Sequence, residues 1–347
     1  MGRISLMFTC LAVLMLVSAG SVGARERLLA HKTDGTLVGP VLSEGRVVWG
    51  ESRPDLTGKR LRMATARGRP RVILRIPEPA SGQTNFRSLA ASGRRIAVLV
   101  GGYDPASPGQ LWVSSARRFS RVALAPGCDA RAADIDGSRI AYLAHCGGGL
   151  EVRVRGTGEA IRVNGVPLEF RDQQIRLAGR YLAYAEHGFP TGLRLVVHDL
   201  RRRAQALRVD LTPYVQGGYE GVVNKWVHFD LDERGRVAFK AGTEPETSPR
   251  IVGWASPGHP AIRRLRHRAR GGPPAIADGL IAMQRGGDYA VVDLKGEVVD
   301  VFERRRTRGG GTIAFDGRRL AWTGMTRTRA FPGSRWDLVT DLLDRKR

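Results

Sequence analysis

The chain has 347 residues and a formal net charge of +23, and arginine supplies 50 of its 56 basic residues. A surface of this charge attracts anions such as nucleic acid, lipid headgroups and acidic polymers. The arginine-rich runs at 201–203, 263–270 and 304–308 are separated, however, and no aromatic residues are interleaved within them. Because a GC-rich genome also favours arginine, we do not predict specific nucleic-acid binding.

The first 24 residues have the pattern of a secretory signal peptide. Arg3 is followed by an almost wholly apolar run at 6–17, and small residues precede a cleavage site after Ala24. The run is shorter than the roughly 20 residues that span a bilayer, although an uncleaved anchor remains the alternative. No later apolar stretch is long enough to cross a membrane. We therefore expect a secreted, periplasmic or cell-envelope protein without a transmembrane segment once the signal is removed.

A short motif recurs along the rest of the chain. It consists of a Gly, an anchor residue that is usually Arg, and three apolar residues, of which the middle one is Ala in six copies. From Arg46 to Arg319 the anchors recur about every 45 residues, which is typical of repeat folds. The seven copies occupy 44–50, 93–99, 137–143, 179–185, 234–240, 278–284 and 317–323.

The composition of one period indicates four short strands. Apolar residues on both faces of the motif indicate a strand that is covered on both sides, and the recurring Ala requires a close neighbour. A further alternating strand follows each copy, most repeats have a fourth, and helical periodicity is essentially absent. This pattern predicts an all-β, seven-bladed β-propeller, with six or eight blades as alternatives.

The two ends of the chain predict how the ring closes. The seventh repeat runs out after its third strand, whereas a spare strand-like segment lies at 27–32, before the first copy. We predict that this segment supplies the outer strand of the last blade. The expected organisation is a signal peptide at 1–24 and one propeller domain at 25–347, as a monomer.

Residues 136–142, Asp-Gly-Ser-Arg-Ile-Ala-Tyr, and the Leu-Trp-Val strand at 111–113 carry a family resemblance. They resemble the TolB-type β-propeller repeat of exported bacterial proteins, although the Pro that usually precedes Asp-Gly is missing in every copy. The resemblance covers nearly the whole chain after the signal. It implies a periplasmic or secreted propeller that is used for protein contacts.

The two cysteines that remain after signal removal are predicted to form a disulfide. Cys128 and Cys146 each lie nine residues from Gly137, so they face each other if a hairpin turns at that glycine. An even number of cysteines suits an exported protein. Two buried free thiols are the alternative.

His145 and His187 occupy the same place in consecutive repeats, three residues after Tyr142 and Tyr184. A shared metal or ligand site is conceivable there, but two polar residues at strand ends are the favoured interpretation. No metal-ligand spacing and no catalytic motif is found, so we assign no catalytic residue, metal or cofactor.

Function is expected on the face where long loops emerge, which we call the loop face. In a propeller these loops join consecutive blades and join the second strand of a blade to the third. The candidate binding residues are Tyr103, Asp104, His145, His187, Tyr214, Tyr219, Lys225 and Trp226. The favoured function is an exported, non-enzymatic scaffold that binds a protein or an anionic envelope partner. The alternative is a propeller hydrolase or lyase acting on sugars or lactones with a central metal.

Overall fold

The computed structural model is built almost entirely of short antiparallel strands. It describes residues 27–32, 37–53, 55, 57–65, 68–78, 84–102, 108–115, 118–157, 159–163, 174–188, 192–215, 225–243, 251–265, 272–304, 307–308, 311–326 and 336–342. Within these ranges the single helical element is a 3₁₀ turn at Thr212–Tyr214. The predicted signal peptide lies outside the described residues.

Six blades are consecutive four-stranded meanders. Blade 1 contains β2 (Leu37–Ser43), β3 (Arg46–Glu51), β4 (Arg60–Thr65) and β5 (Arg71–Arg75). Blade 2 contains β6 (Asn85–Ser92), β7 (Arg95–Gly101), β8 (Gln110–Ser115) and β9 (Arg118–Val122). Blade 3 contains β10 (Cys128–Asp136), β11 (Arg139–Cys146), β12 (Gly149–Val154) and β13 (Glu159–Val163). Blade 4 contains β14 (Ile175–Ala178), β15 (Tyr181–Gly188), β16 (Gly192–Asp199) and β17 (Ala204–Asp210). Blade 5 contains β18 (Lys225–Leu231), β19 (Val237–Thr243), β20 (Ile251–Ser256) and β21 (His259–Arg264). Blade 6 contains β22 (Ala275–Ala277), β23 (Leu280–Arg285), β24 (Asp288–Asp293) and β25 (Val298–Phe302).

Blade 7 combines the two ends of the chain. Its strands are β26 (Thr307–Arg308), β27 (Ile313–Phe315), β28 (Arg319–Thr326), β29 (Trp336–Leu342) and β1 (Arg27–Lys32). β1 pairs antiparallel with β29, so that Arg27 lies opposite Thr340 and Lys32 opposite Trp336. The prediction of seven blades, with an N-terminal strand completing the last one, is confirmed.

The middle residue of each motif packs towards the following blade. Ala141 of blade 3 is fully buried in one cluster with Leu182 and Tyr184, the first and third apolar residues of the next copy. The same relation continues around the ring and ends with Ala321 of blade 7, which shares a cluster with Val47 and Trp49 of blade 1. The small side chain at the middle position of the motif, in the second strand of a blade, therefore leaves room for the bulky side chains of the next blade.

The anchor arginine of the motif binds the next blade. Arg46 donates a hydrogen bond from Nη2 to the carbonyl oxygen of Gly93 over 2.6 Å, and Arg95 donates from Nη1 to that of Gly137 over 3.0 Å. Arg139 makes the same contact with Gly179. Gly93, Gly137 and Gly179 have φ angles of 56°, 55° and 55°, which favour glycine in these tight turns.

Candidate functional site

A cavity of about 740 Å³ lies on the central axis and is lined by the inner strand of all seven blades. Its walls include the turns that join the first and second strands. Because those turns and the turns between the third and fourth strands lie at the same end of each blade, we call this side the turn face. The loop face is opposite.

Several charged residues line the cavity, and Asp134, Arg176 and Asp230 are three of them that come from the inner strands of consecutive blades. Arg176 Nε lies 3.1 Å from Asp230 Oδ1. Asp134 is 9% exposed, and its Oδ2 accepts a hydrogen bond from the backbone N–H of Leu177 over 2.8 Å. Asp230 Oδ2 likewise accepts from the backbone N–H of Ile276 over 2.9 Å. Each carboxylate therefore joins its own blade to the next one.

Polar side chains do the same between other blades. Ser88 Oγ accepts from the backbone N–H of Ala133 over 3.0 Å, and Gln174 Oε1 accepts from that of Phe229 over 3.2 Å. The inner strand of a blade has one edge without a strand partner, so its N–H groups need acceptors from elsewhere. These side chains provide them, which gives the polar lining a structural role.

Burial changes the acidity of the two carboxyl groups. Desolvation raises the pKa of Asp134 to about 6, although the positive charge of Arg176 opposes the rise. Desolvation also raises the pKa of Asp230, again against the effect of Arg176. Asp134 therefore takes up a proton at mildly acidic pH.

Within the ranges described above, no group of three or more His, Cys, Asp or Glu residues could hold a metal ion. His145 and His187 are both partly buried near the loop-face ends of β11 and β15. Burial lowers the pKa of His145, and the nearby Arg131 lowers it further while Asp129 opposes this.

The predicted disulfide is present beside His145. Cys128 and Cys146 are bonded, with their Cα atoms 4.2 Å apart on opposite strands of the β10–β11 hairpin. The sequence did not reveal the ion-pair cluster next to it. Asp129 Oδ1 lies 2.7 Å from Arg87 Nη1, and its Oδ2 lies 2.8 Å from Arg131 Nη2.

Besides the two histidines, the structure describes the side chains of two candidate binding residues of the loop face. Tyr214 is partly buried, and the guanidinium carbon of Arg264 lies 4.7 Å from the centre of its ring. Trp226 is only 8% exposed, with its ring 5.2 Å from that of His228. This burial shows that Trp226 packs within blade 5, and its role in binding stays a prediction.

The side chains of the other candidate binding residues lie outside the described part of the chain. Lys225 begins β18, but its side chain lies outside the described residues. Tyr103, Asp104 and Tyr219 lie outside them altogether. Their roles in binding also stay predictions.

Among known proteins, this chain is similar to solved structures but to no family model and no curated sequence. A puromycin-hydrolyzing peptidase from Mycobacterium tuberculosis is similar, with 14% identity, a TM-score of 0.56, and coverage of 87% of this chain and 50% of that chain. The β-propeller domain of the Trilobed protease from Pyrococcus furiosus, described as having an open velcro topology, is similar with 11% identity and a TM-score of 0.54. That match covers 89% of this chain and 93% of that chain. TolB from Acinetobacter baumannii has 12% identity and a TM-score of 0.47, and the match covers 77% of this chain and 65% of that chain.

The matches with a TM-score above 0.5, which include the Trilobed protease domain, establish a resemblance in fold to a β-propeller and nothing finer. The chain spans about half the length of the peptidase structure. Unlike the open velcro propeller, this ring is closed by the pairing of β1 with β29. In the described residues no helix is long and apolar enough to cross a membrane.

Proposed function

We propose that this chain is an exported, non-enzymatic scaffold that binds a protein or an anionic envelope polymer through its loop face. The observation that carries the proposal is the engagement of two carboxylates that line the central cavity. Asp134 and Asp230 accept backbone hydrogen bonds from the following blades. A propeller enzyme with a central metal would need such carboxylates for its ligand set.

Two observations support export. Residues 1–24 have the pattern of a signal peptide. The Cys128–Cys146 disulfide suits the oxidising compartments outside the cytoplasm. Together they favour a periplasmic or secreted location.

The loop face is the proposed binding surface. The sequence predicts that it carries the aromatic residues Tyr103, Tyr214 and Tyr219 among polar loops. Tyrosine is enriched at interfaces because its ring contributes a large contact area with little loss of conformational entropy. The Tyr214–Arg264 pair belongs to the part of this surface that the structure describes.

The test is affinity capture from a solubilised cell-envelope fraction, with the mature chain as bait. A Tyr103→Ala/Tyr219→Ala double variant is expected to lose the captured partner. The matched control is Val298→Ala/Val301→Ala, since these side chains are 41% and 46% exposed on the outer strand of blade 6. An unchanged partner set for the tyrosine variant would contradict the proposed surface. Stoichiometric metal together with hydrolase or lyase activity on a sugar or lactone would contradict the non-enzymatic role.

A further inference from the structure

The arginine run at 201–203 belongs to a basic area on the turn face, away from the proposed loop-face site. We call this area the turn-face arginine patch. Its members are exposed residues in the turns of blades 3, 4 and 5: Arg155, Arg180, Arg201, Arg202, Arg203 and Arg234.

Asp199 holds the centre of this patch in shape. It is 2% exposed, and its Oδ1 accepts hydrogen bonds from the backbone N–H groups of Arg201 and Arg202 over 3.0 and 3.2 Å. Arg203 follows with a φ angle of 50°, in a region that non-glycine residues rarely adopt. The buried Asp199 carboxylate therefore stabilises the turn, and the turn presents three consecutive arginines to solvent.

The local charge balance is strongly positive. Asp199 Oδ2 lies 3.3 Å from Arg180 Nε and 3.9 Å from Arg202 Nε, so one buried carboxylate serves two arginines. Asp232 is paired with Arg236, which is outside the patch, at 2.6 Å. Glu233 is the exposed acidic residue beside Arg234. Six guanidinium groups thus face few carboxylates, and the side chain of Arg202 is 77% exposed.

The arginines of the patch are spread over the turns of three adjacent blades, so the ligand has to offer several anionic groups side by side. The patch is built from the tips of tight turns, which end the strands of adjacent blades on one side of the ring. An extended polymer is usually held in a groove, whereas a layer of lipid headgroups offers many phosphates in one plane. Clustered basic residues on a surface are also a recognised feature of binding to anionic membranes.

We propose that the turn-face arginine patch docks the propeller on an anionic phospholipid bilayer. The phosphate groups of the lipid would contact Arg201, Arg202 and Arg203, with the other arginines around them. This inference does not rest on the proposed function, because it concerns the opposite face and a different ligand. Bound in this way, the ring would direct its loop face away from the membrane.

The test is vesicle flotation of the mature chain. The vesicles contain phosphatidylcholine alone or with about one third phosphatidylglycerol, at low and at physiological salt. We expect binding only to the anionic vesicles, and weaker binding as salt rises. The test variant is Arg201→Gln/Arg202→Gln/Arg203→Asn, in which Asn tolerates the positive φ angle. Each arginine near an anionic membrane increases the membrane partition coefficient about fivefold. Loss of three arginines is therefore expected to lower the partition coefficient about a hundredfold.

The matched control removes the same charge from the outer strands. Arg75→Gln/Arg121→Gln/Arg162→Gln changes three exposed arginines on blades 1, 2 and 3. It is expected to reduce binding by no more than about threefold, as a general charge effect. Equal losses in the two variants would overturn the proposal, and so would absence of wild-type binding to anionic vesicles. Binding to soluble polyphosphate without binding to vesicles would assign the patch to a polymer and overturn the membrane assignment.

Discussion

Arg319 of blade 7 donates a hydrogen bond from Nη1 to the carbonyl oxygen of Gly45 in blade 1, over 2.6 Å. The same contact links blades 1 and 2, 2 and 3, and 3 and 4. At the junction of blades 4 and 5, Tyr181 stands in place of arginine, and a Cβ at Gly235 would come within 3.1 Å of its ring. The Gly-Arg pair therefore joins the blades at four junctions of the ring, including the one between the last blade and the first.

The first prediction concerns this closing bond. Arg319→Gln is expected to lower the free energy of unfolding by about 1–3 kcal/mol, because a hydrogen bond from a charged group to the Gly45 carbonyl is lost. Arg318→Gln changes the exposed neighbour and is expected to alter stability by less than about 0.5 kcal/mol. Denaturant unfolding of both variants measures the difference. Equal stabilities would show that the contact contributes nothing to ring closure.

The second prediction concerns the packing of β1. Leu29 is 6% exposed and shares a core cluster with Ala321 and Leu338, whereas the adjacent Leu28 is 38% exposed. Leu29→Ala is expected to cost about 2–4 kcal/mol of stability, since it leaves a cavity between the N-terminal strand and blade 7. Leu28→Ala is the control and is expected to cost much less. Thermal unfolding distinguishes them, and similar losses in the two variants would argue against the packing of β1.

The third prediction concerns the disulfide. Reduction of the Cys128–Cys146 bond is expected to destabilise the protein by roughly 3 kcal/mol in the chain-entropy model, because it frees a loop with a sequence separation of 18 residues. The midpoint of thermal unfolding should therefore fall when a reductant is added. Alkylation of the unreduced native protein should label neither cysteine. Labelling of both under these conditions would favour free thiols instead.

The fourth prediction separates the two properties of Asp134. Asp134→Ala leaves the N–H of Leu177 without its acceptor and is expected to destabilise the protein by about 1–3 kcal/mol. Asp134→Asn keeps an acceptor oxygen but cannot ionise, so it is expected to be more stable than the Ala variant at pH 7.

The pH dependence of the same group checks its environment. The pKa of Asp134 in the folded protein is raised to about 6 from an ordinary value of 3.8, so its ionisation favours the unfolded state. The stability it contributes is fully present below 3.8 and is lost as pH rises through about 6. Urea unfolding at several pH values should show the wild type losing stability relative to Asp134→Asn over this interval. A constant difference would contradict the raised pKa.

Much of the fold was predictable because its signal is periodic. The motif predicted seven blades, with six or eight as alternatives, and it predicted the second strand of each blade and the place of the small residue between blades. The spare strand at the N-terminal end and the missing strand of the seventh repeat predicted the closure. The spacing around Gly137 predicted the disulfide, which depends on hairpin register. These features follow from local pattern and from counting.

The partners of polar side chains could not be predicted in this way. Arg46 binds Gly93, which lies 47 positions later, and no local pattern identifies that carbonyl. Asp134 and Arg176 come together in the cavity only once consecutive blades are placed side by side. Trp226 illustrates the same limit, because sequence places it near a loop whereas packing against Gly242 and His228 buries it.

Closure of the ring by the N-terminal strand is the central structural claim, and a cross-link tests it most directly. His31 and Asp337 are Cα partners across β1 and β29, so a His31→Cys/Asp337→Cys variant places two thiols at cross-strand distance. We predict a second disulfide, detected by mass spectrometry as a linked pair of peptides that contain these positions. The out-of-register control, Arg27→Cys/Asp337→Cys, should remain reduced. Free alkylation of both introduced thiols in the native His31→Cys/Asp337→Cys protein would contradict the closed ring.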